Sequence, residues 1–484
     1  MNAILLPTRH YNPRWIDLFV LAGAAIVAAV SVRPYAGSWN DGSRLAAVES
    51  LVDHRTFAID QSIFVQVPKP TSPEAPTPYP AGDVGLTEQG TRDKLFIDGH
   101  FYSDKTPVPS LLMAGIYQTW RSCGGATARQ RPDLFCYVLT IGTSGLAYVL
   151  AIWCISRLAA TLGLSLGNCL ALTGSFALAT VASTYTRHVN NHILFLGVMA
   201  AVMLSLVRLR EAAEAGNFSL RPAWLGTLAG FAYNVDLGTG PVLLGSLGLL
   251  VIFRCRRFRP IAVFAAGVLP WFFAHHLFNY WIGGTIQPYN TVPEYSAWPG
   301  SPFNSGNLTG FWRHTAGHFV EYAAALLVGK RGFLCHNVPL FLLLPGMVML
   351  VRRRVQETPE LLFGVGWCGG TWLLYAALSN NYSGPCCSIR WFVPFLAPAY
   401  YVLALLLKRF PEYRWDFYVL SGWGAVLGIL MWSQGPWTQH MVPFFWPIQG
   451  AALVSWCFCW HWRRRSAKHG TAVASDLCRR ARAA

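Results

Sequence analysis

The sequence predicts an all-α polytopic membrane protein, and three observations support this fold class. Hydrophobic residues make up 53% of the 484 residues and charged residues only 12%, about half of the roughly 25% that is typical of soluble domains. The mean hydropathy is +0.35. Apolar stretches of about 20 residues, the length of a membrane-spanning helix, recur along the chain. We therefore interpret 1–484 as a single transmembrane domain with about twelve spans.

The predicted spans are separated by short polar connections. They are placed at 15–34, 133–156, 168–186, 190–207, 223–235, 237–253, 260–281, 334–351, 360–379, 390–407, 415–433 and 443–462. Only the stretch NVDLGTGP separates the short fifth span from the sixth. At this point the sequence is also compatible with one broken helix or a re-entrant pair of helices. Residues 107–121 are also apolar, but they are few and contain Pro109, and we interpret them as a helix in the membrane interface.

The basic residues predict the orientation. They cluster in loops such as RCRRFRP, RRRVQETPE and KRFPEYR and in the tail 463–484, all of which fall on one side under this count. The positive-inside rule makes that side cytoplasmic. Both termini are then cytoplasmic, and the long segments 35–132 and 282–333 are extracytoplasmic loops of an inner (plasma) membrane protein. Because the net charge of +16 lies in these loops, it does not indicate a nucleic-acid partner.

The first long loop contains periodic and irregular parts. In residues 38–56 apolar side chains recur at helical spacing, which predicts an amphipathic helix lying on the membrane. Glu49 and Asp53 are interpreted as solvated faces of this helix. The stretch PKPTSPEAPTPYPAGDVG predicts an extended excursion, and RDKLFIDGHFYSDK predicts a short extended piece with a turn at Asp98-Gly99.

Two short motifs in this loop carry a resemblance to a known family. WNDGSR, with Asp41, follows the first span, and YSDKTP, with Lys105, leads into the apolar stretch at 107–121. This arrangement resembles the GT-C superfamily of integral-membrane glycosyltransferases, which includes protein O-mannosyltransferases and lipid A aminoarabinose transferases. The resemblance implies transfer of a sugar from a polyprenyl-phosphate donor to a glycan, lipid or protein acceptor. The sequence departs from the superfamily's common Lys-Pro-Pro pattern by reading Lys105-Thr106-Pro107.

The chemistry of such a transfer suggests roles for particular residues. It needs a base for the acceptor and cations for the departing phosphate. We predict Asp41 as the base and Lys105 and Arg390 as the phosphate-binding cations, since both cations lie at predicted outer ends of spans. The predicted substrate pocket also contains Arg44, Asp104, His100, Asn190, His192 and Asp236. The loop 282–333, rich in Gly, Pro, Asn and aromatic residues, is interpreted as an acceptor or lid region.

Each of these residues also has a structural interpretation. Asp41 precedes a predicted helix and is a common N-cap residue, unless Asn40 or Ser43 takes the cap. Lys105 and Arg390 can be interfacial anchors. Asp236 can bond backbone groups at the broken segment rather than line a site.

Metal and nucleotide sites are weakly indicated. His188 and His192, and likewise His314 and His318, have the i, i+4 spacing of helical metal ligands, but neither pair has an acidic residue at HExxH spacing. A divalent metal is therefore left open. No GxGxxG, Walker or GxSxG motif occurs in a fitting context, and we expect no nucleotide cofactor.

Two other functions fit parts of the sequence. Many spans, a broken segment and an intramembrane acid are also features of a multi-pass transporter or lipid flippase. The long, polar first loop and the lack of a repeat relating two halves favour the enzyme. A polymerase or ligase with a diphosphate-linked oligosaccharide donor would use the same chemistry.

Overall fold

The computed structural model describes residues 13–72, 74–214, 220–304, 307–438 and 440–483. For 13–14, 213–214 and 466–483 only the backbone is described. Most side chains of the predicted tail 463–484 therefore lie outside the described residues. So does the centre of RLREAAEAGNFSLRP at 208–222, which is another of the basic loops used to predict the orientation.

The described chain is mostly helical. Helices α1 to α10 span Pro13–Ser31, Trp39–Glu49, Val84–Gln89, Pro107–Ser122, Pro132–Thr140, Leu146–Thr161, Leu166–Leu178, Ala182–Tyr185, Asn191–Glu214 and Arg221–Val235. Helices α11 to α20 span Gly240–Cys255, Phe258–Gly283, Pro293–Ser296, Ala316–Leu327, Phe333–His336, Leu343–Arg352, Thr358–Leu378, Leu396–Arg409, Arg414–Gln434 and Phe445–Ala483. Single π or 3₁₀ turns are Ser50–His54, Ile141–Gly145, Tyr289–Thr291, Val338–Leu342, Arg390–Phe395 and Pro411–Tyr413.

Each predicted span overlaps one or more of these helices. Among the described residues, five helical stretches are long and apolar enough to cross a membrane: Pro132–Thr161, Asn191–Ala212, Phe258–Gly283, Thr358–Leu378 and Arg390–Arg409. Shorter apolar helices are Trp15–Ser31, Leu166–Leu178, Gly240–Cys255 and Val338–Arg352. The membrane-protein class is therefore supported, and the number of about twelve spans stays a prediction.

The helices around the centre of the bundle differ from those at its periphery in burial. The most apolar window of Asn191–Ala212 is 83% buried and that of Arg390–Arg409 is 94% buried, whereas that of Phe258–Gly283 is 17% buried. α9 and α18 thus form the core, and α12 presents most of its surface outward. α10 ends at Val235 and α11 begins at Gly240, so the predicted fifth and sixth spans are separate helices, and a re-entrant arrangement stays a prediction.

The segment between α1 and α5, which we call the first loop, is a packed layer. Strands β1 (Lys94–Ile97) and β2 (His100–Ser103) form an antiparallel hairpin, which confirms the predicted extended piece. Asp98 and Gly99 have φ values of 48° and 87°, as a tight two-residue hairpin turn requires. The predicted interface helix at 107–121 is present as α4.

The amphipathic helix predicted at 38–56 is shorter and more buried than expected. It comprises α2 and the π turn after it, and every residue from Asn40 to Glu49 is buried. The prediction that Glu49 is solvated was wrong: it is 2% exposed because the chain at 62–63 covers it, and its carboxylate accepts hydrogen bonds from Ser62 Oγ and Ile63 N at 2.6 and 3.0 Å. Asp53 was also misassigned, since it accepts a 2.7 Å hydrogen bond from Tyr117 and its side chain is 14% exposed.

Candidate functional site

A buried cation lies at the centre of the candidate site. Arg44, on α2, is 4% exposed. Among the described residues its guanidinium has no hydrogen-bond or ion-pair partner, and its Nε is fully enclosed. Burial lowers the pKa of Arg44 to about 10, while the charges of Asp104 and Asp236 raise it and that of Arg390 lowers it. These four charged groups come from distant parts of the sequence, and the other three lie close enough to Arg44 to act on it electrostatically.

Among the described residues, Arg390 also has no carboxylate within ion-pair distance. It begins the 3₁₀ turn Arg390–Phe395, and its guanidinium lies 5.5 Å from the ring centroid of Trp437. Within the part of the chain that the structure describes, its Nε is buried and has no hydrogen-bond partner. Its backbone N–H donates to Ser383 Oγ at 3.2 Å, which fixes the loop that carries it.

Lys105 is held differently from the two arginines. Its Nζ lies 2.6 Å from an Oδ of Asp104 and 2.8 Å from an Oδ of Asp93. Two side chains of the second long loop bind the backbone of this motif: Asn290 donates to the Asp104 carbonyl at 3.0 Å, and Tyr289 donates to the Lys105 carbonyl at 2.8 Å. The predicted phosphate-binding Lys105 is therefore already neutralised by two carboxylates.

Asp104 is the more exposed of the two carboxylates that pair with Lys105, since the Asp93 side chain is 14% exposed. Its side chain is 26% exposed, and it accepts a 3.0 Å hydrogen bond from Ser43 Oγ. Burial raises the pKa of Asp104, the Lys105 charge lowers it and the Asp93 charge raises it. Asp104 thus has the elevated proton affinity and the access that a general base needs.

Asp236 joins the site from the break between α10 and α11. Its Oδ1 accepts hydrogen bonds from the N–H groups of Gly238 and Thr239 at 2.9 and 3.0 Å, and from the Tyr375 hydroxyl at 3.2 Å. Its Oδ2 accepts from Asn191 Nδ2 at 3.1 Å. The predicted bond to backbone at the broken segment is therefore present, and the same carboxylate also faces the cations.

Two predicted pocket residues stand at the start of α9. His192 is 4% exposed, and its Nδ1 lies 3.7 Å from Asp236 Oδ2, so it borders the candidate site. Asn190 instead caps the helix, because its Oδ1 accepts a hydrogen bond from the His192 N–H at 2.8 Å.

Asp41 lies apart from these charges. It is completely buried, and its carboxylate accepts hydrogen bonds from Gly37 N at 2.6 Å and from Ser38 Oγ. His188 Nδ1 lies 3.5 Å from Asp41 Oδ2, the oxygen that also accepts from Gly37. Burial raises the pKa of Asp41 to about 6. These contacts fix the beginning of α2, so Asp41 has a structural role, although it is not the N-cap that the sequence suggested.

The cap itself falls on a residue that the sequence did not single out. Ser38 is the N-cap of α2, and its Oγ accepts from the Asn40 N–H at 3.2 Å. Neither Asn40 nor Ser43 takes this role. Ser43 instead bonds Ser103 and Asp104 at 2.7 and 3.0 Å, so it joins α2 to the Lys105 motif.

His100 is not part of the site. Its side chain is 62% exposed, and its Nδ1 lies 3.3 Å from Asp60, because the hairpin β1–β2 turns it outward. The predicted histidine pairs also do not form helical ligand pairs: His188 precedes α9, which begins at Asn191, and His314 precedes α14, which begins at Ala316. The described residues contain no group of three or more His, Cys, Asp or Glu that would hold a metal.

Sequence reasoning missed Asp93 and Tyr375. Asp93 was read as part of an extended stretch, and Tyr375 as an ordinary residue of a span. Tyr375 stacks on Trp391 with ring centroids 4.1 Å apart and planes 4° from parallel. Their roles depend on contacts between segments that are far apart in the chain, so no local pattern identifies them.

The arrangement can bind an oxyanion. Two guanidinium groups without protein carboxylates present forked donors that match the oxygens of a phosphate. A buried charge without a partner is costly, and a bound anion would remove that cost. The nearby Asp104 carboxylate can accept a proton from a second molecule placed beside that anion.

No protein-family model matches the sequence, and no curated protein matches it significantly. The backbone is similar to that of ArnT from Cupriavidus metallidurans bound to undecaprenyl phosphate, with a TM-score of 0.49 and 12% identity, over 93% of this chain and 76% of that chain. The apo form of ArnT from the same organism has a TM-score of 0.49 and 12% identity, over 92% of this chain and 75% of that chain. The apo oligosaccharyltransferase of Archaeoglobus fulgidus has a TM-score of 0.46 and 12% identity, over 90% of this chain and 57% of that chain.

Proposed function

We propose that this protein transfers a sugar from a polyprenyl-phosphate donor to an acceptor, with the donor phosphate held between Arg44 and Arg390. The observation that carries the proposal is that both guanidinium groups are wholly or partly buried, act on each other electrostatically and have no carboxylate partner among the described residues. Two like charges in one enclosed space repel each other. An anion of charge −1 or −2 between them removes that repulsion.

The position of the site favours an anion attached to a lipid. It is built from the first loop, the beginning of α9 and the turn that leads into α18, so it lies where polar loops meet apolar helices. A polyprenyl phosphate needs this location, because its headgroup is polar and its tail must remain in hydrocarbon. By the positive-inside rule we place this end of the bundle on the extracytoplasmic face, opposite the basic loops.

In the proposed reaction a nucleophilic oxygen or nitrogen of the acceptor attacks the anomeric carbon of the donor sugar. The bond between that carbon and the phosphate oxygen breaks, and the polyprenyl phosphate leaves with the electron pair. Arg44 and Arg390 stabilise its charge. Asp104, rather than the enclosed Asp41, accepts the acceptor's proton, while Lys105 and Ser43 orient the Asp104 carboxylate.

Native mass spectrometry of the purified protein with undecaprenyl phosphate tests the proposal. Arg44→Gln and Arg390→Gln should each weaken lipid binding about tenfold to a hundredfold, because a hydrogen bond to a charged group contributes about 1.5–3 kcal/mol. Arg313→Gln is the matched control, since Arg313 is exposed and bonds only carbonyls of its own loop, Gly310 and Trp312. An unchanged lipid load in both site variants would refute the donor site and restore the transporter hypothesis.

A further inference from the structure

A second polar cavity lies beside the candidate site. It has a volume of about 120 Å³ and is lined by Lys330, Arg331, His336, Ser388, Thr438 and His440, among others. The wall comes from three connections: the one before α15, the one that carries Arg390, and the one between α19 and α20. One water occupies about 30 Å³, so the cavity is large enough for a small polyatomic group.

The charged groups at this cavity have one sign. Lys330 is exposed and Arg331 half-buried, and neither has a carboxylate within ion-pair distance in the described ranges. The Arg331 guanidinium lies 5.7 Å from the ring centroid of Tyr382, which orients it without neutralising it. His336 donates its Nδ1–H to the Gly332 carbonyl at 2.9 Å, so its Nε2 carries a lone pair and the ring adds no negative charge to the cavity.

A buried hydroxyl adds an independent indication of a ligand. Ser388 is 1% exposed, and across the described chain its Oγ has no hydrogen-bond partner. Its backbone has a φ of 63°, a left-handed conformation that non-glycine residues seldom adopt. A buried unpartnered hydroxyl is costly, and such strained positions cluster at ligand-binding sites.

The cavity and the donor site share a wall. Ser388, which lines the cavity, is two residues from Arg390. Thr438, which also lines it, follows Trp437, whose ring lies under the Arg390 guanidinium. The Tyr185 hydroxyl donates to the Cys387 carbonyl at 2.7 Å and so fixes this wall. A group bound in the cavity would therefore lie next to a phosphate held by Arg390.

We propose that this cavity is an oxyanion-binding subsite that holds a phosphate or carboxylate group of the acceptor. The identification with the acceptor rests on the proposed function, whereas oxyanion binding does not. Lys330 and Arg331 supply the positive charge, and the Ser388 hydroxyl supplies a hydrogen bond. Holding the acceptor by its anionic group would orient its nucleophile toward the donor sugar.

The test measures the apparent melting temperature of the purified protein in inorganic phosphate or acetate, against chloride at equal ionic strength. A ligand that binds only the folded state raises this temperature. The measurement is made in the Arg44→Gln/Arg390→Gln double variant, in which the donor site no longer binds phosphate. We expect phosphate, acetate or both to stabilise this variant, and we expect Arg331→Gln or Ser388→Ala, added to it, to abolish the effect. Arg313→Gln is the control that should retain it.

The outcomes separate the subsite from the proposed function. No stabilisation of the double variant by either anion, or stabilisation that survives both Arg331→Gln and Ser388→Ala, would overturn the subsite. Failure of the wild type to bind undecaprenyl phosphate would overturn the donor site alone. Nanodiscs with and without phosphatidylglycerol distinguish the source of the group: stabilisation by that lipid that is lost in Arg331→Gln would show a membrane headgroup, and would overturn the acceptor assignment.

Discussion

The Lys105 ammonium lies 2.6 Å from the carboxylate of its neighbour Asp104. A residue pair that is adjacent in sequence thus forms an ion pair inside the site, and Asp93 adds a second carboxylate at 2.8 Å from the same ammonium. The Lys105 ammonium is therefore already paired with two carboxylates in the absence of a bound phosphate. We infer that its main effect is on the proton affinity of Asp104, whereas Arg44 and Arg390 hold the phosphate.

This inference predicts how the pH dependence of sugar transfer responds to the neighbours of Asp104. The Lys105 charge lowers the pKa of Asp104 and the Asp93 charge raises it. A base must be deprotonated to work, so Lys105→Met should move the acid limb of the pH–rate profile to higher pH and Asp93→Asn should move it to lower pH. The profiles are measured as kcat/KM between pH 4 and 8. Shifts in the same direction for both variants would contradict Asp104 as the titrating base.

A comparison of Asp104→Asn with Asp41→Asn separates the two candidate bases. We expect Asp104→Asn to lower kcat about a hundredfold or more, in the range of general-base contributions of 10²–10⁴, with undecaprenyl phosphate still bound. Asp41→Asn should mainly lower stability, by about 0.5–1.5 kcal/mol, because it weakens the hydrogen bonds from Gly37 and Ser38 at the beginning of α2. Transfer rates and melting temperatures are measured for both variants. A stable Asp41→Asn protein with abolished turnover would instead make Asp41 the base, as the sequence predicted.

Burial of Asp41 predicts a specific pH dependence of stability. Burial raises the pKa of Asp41 from 3.8 to about 6, so between these values the folded protein retains a proton that the unfolded chain releases. The contribution of this residue to stability is therefore highest below pH 4, falls as the pH rises toward 6 and is then constant, with a total change of about 3 kcal/mol. The difference in melting temperature between wild type and Asp41→Asn should decrease over this interval. A difference that increases with pH would show that the folded state favours the ionised carboxylate.

The sequence predicted the helices well because their signal is local. Every span that was predicted from an apolar run overlaps a helix in the structure. The pair Asp98-Gly99 correctly predicted the position of the hairpin turn. The prediction failed where distant segments of the chain pack on each other. The helical spacing placed Glu49 on a solvated face, but residues 62–63 cross over it and bury it. Orientation relative to the membrane depends on the positive-inside rule and is still a prediction.

The composition of the site stays a prediction. The sequence named Lys105, Arg390, Arg44, Asp104, His192 and Asp236, and electrostatic contacts connect these residues in the structure. The roles proposed for Asp104, Lys105 and Arg44 differ from those predicted from the sequence, because a role depends on which charges already have partners. Lys105 and Arg44 look equivalent as cations in the sequence, and only the positions of Asp93 and Asp104 distinguish them.

Close packing of α10 on α12 gives a prediction about the fold itself. A Cβ at Gly226 would meet the Phe264 carbonyl oxygen, and a Cβ at Gly267 would meet the Ala223 carbonyl oxygen, in both cases too closely for any side chain. Small residues at such crossings allow helix backbones to approach in membrane proteins. Gly226→Ala and Gly267→Ala should each separate the two helices and lower the apparent melting temperature, since overpacking costs about 1–3 kcal/mol. Gly245→Ala on α11 is the matched control, because nothing lies within 4 Å of its added Cβ and alanine is the better helix former. Unchanged melting of both crossing variants would show that α10 and α12 are not in backbone contact.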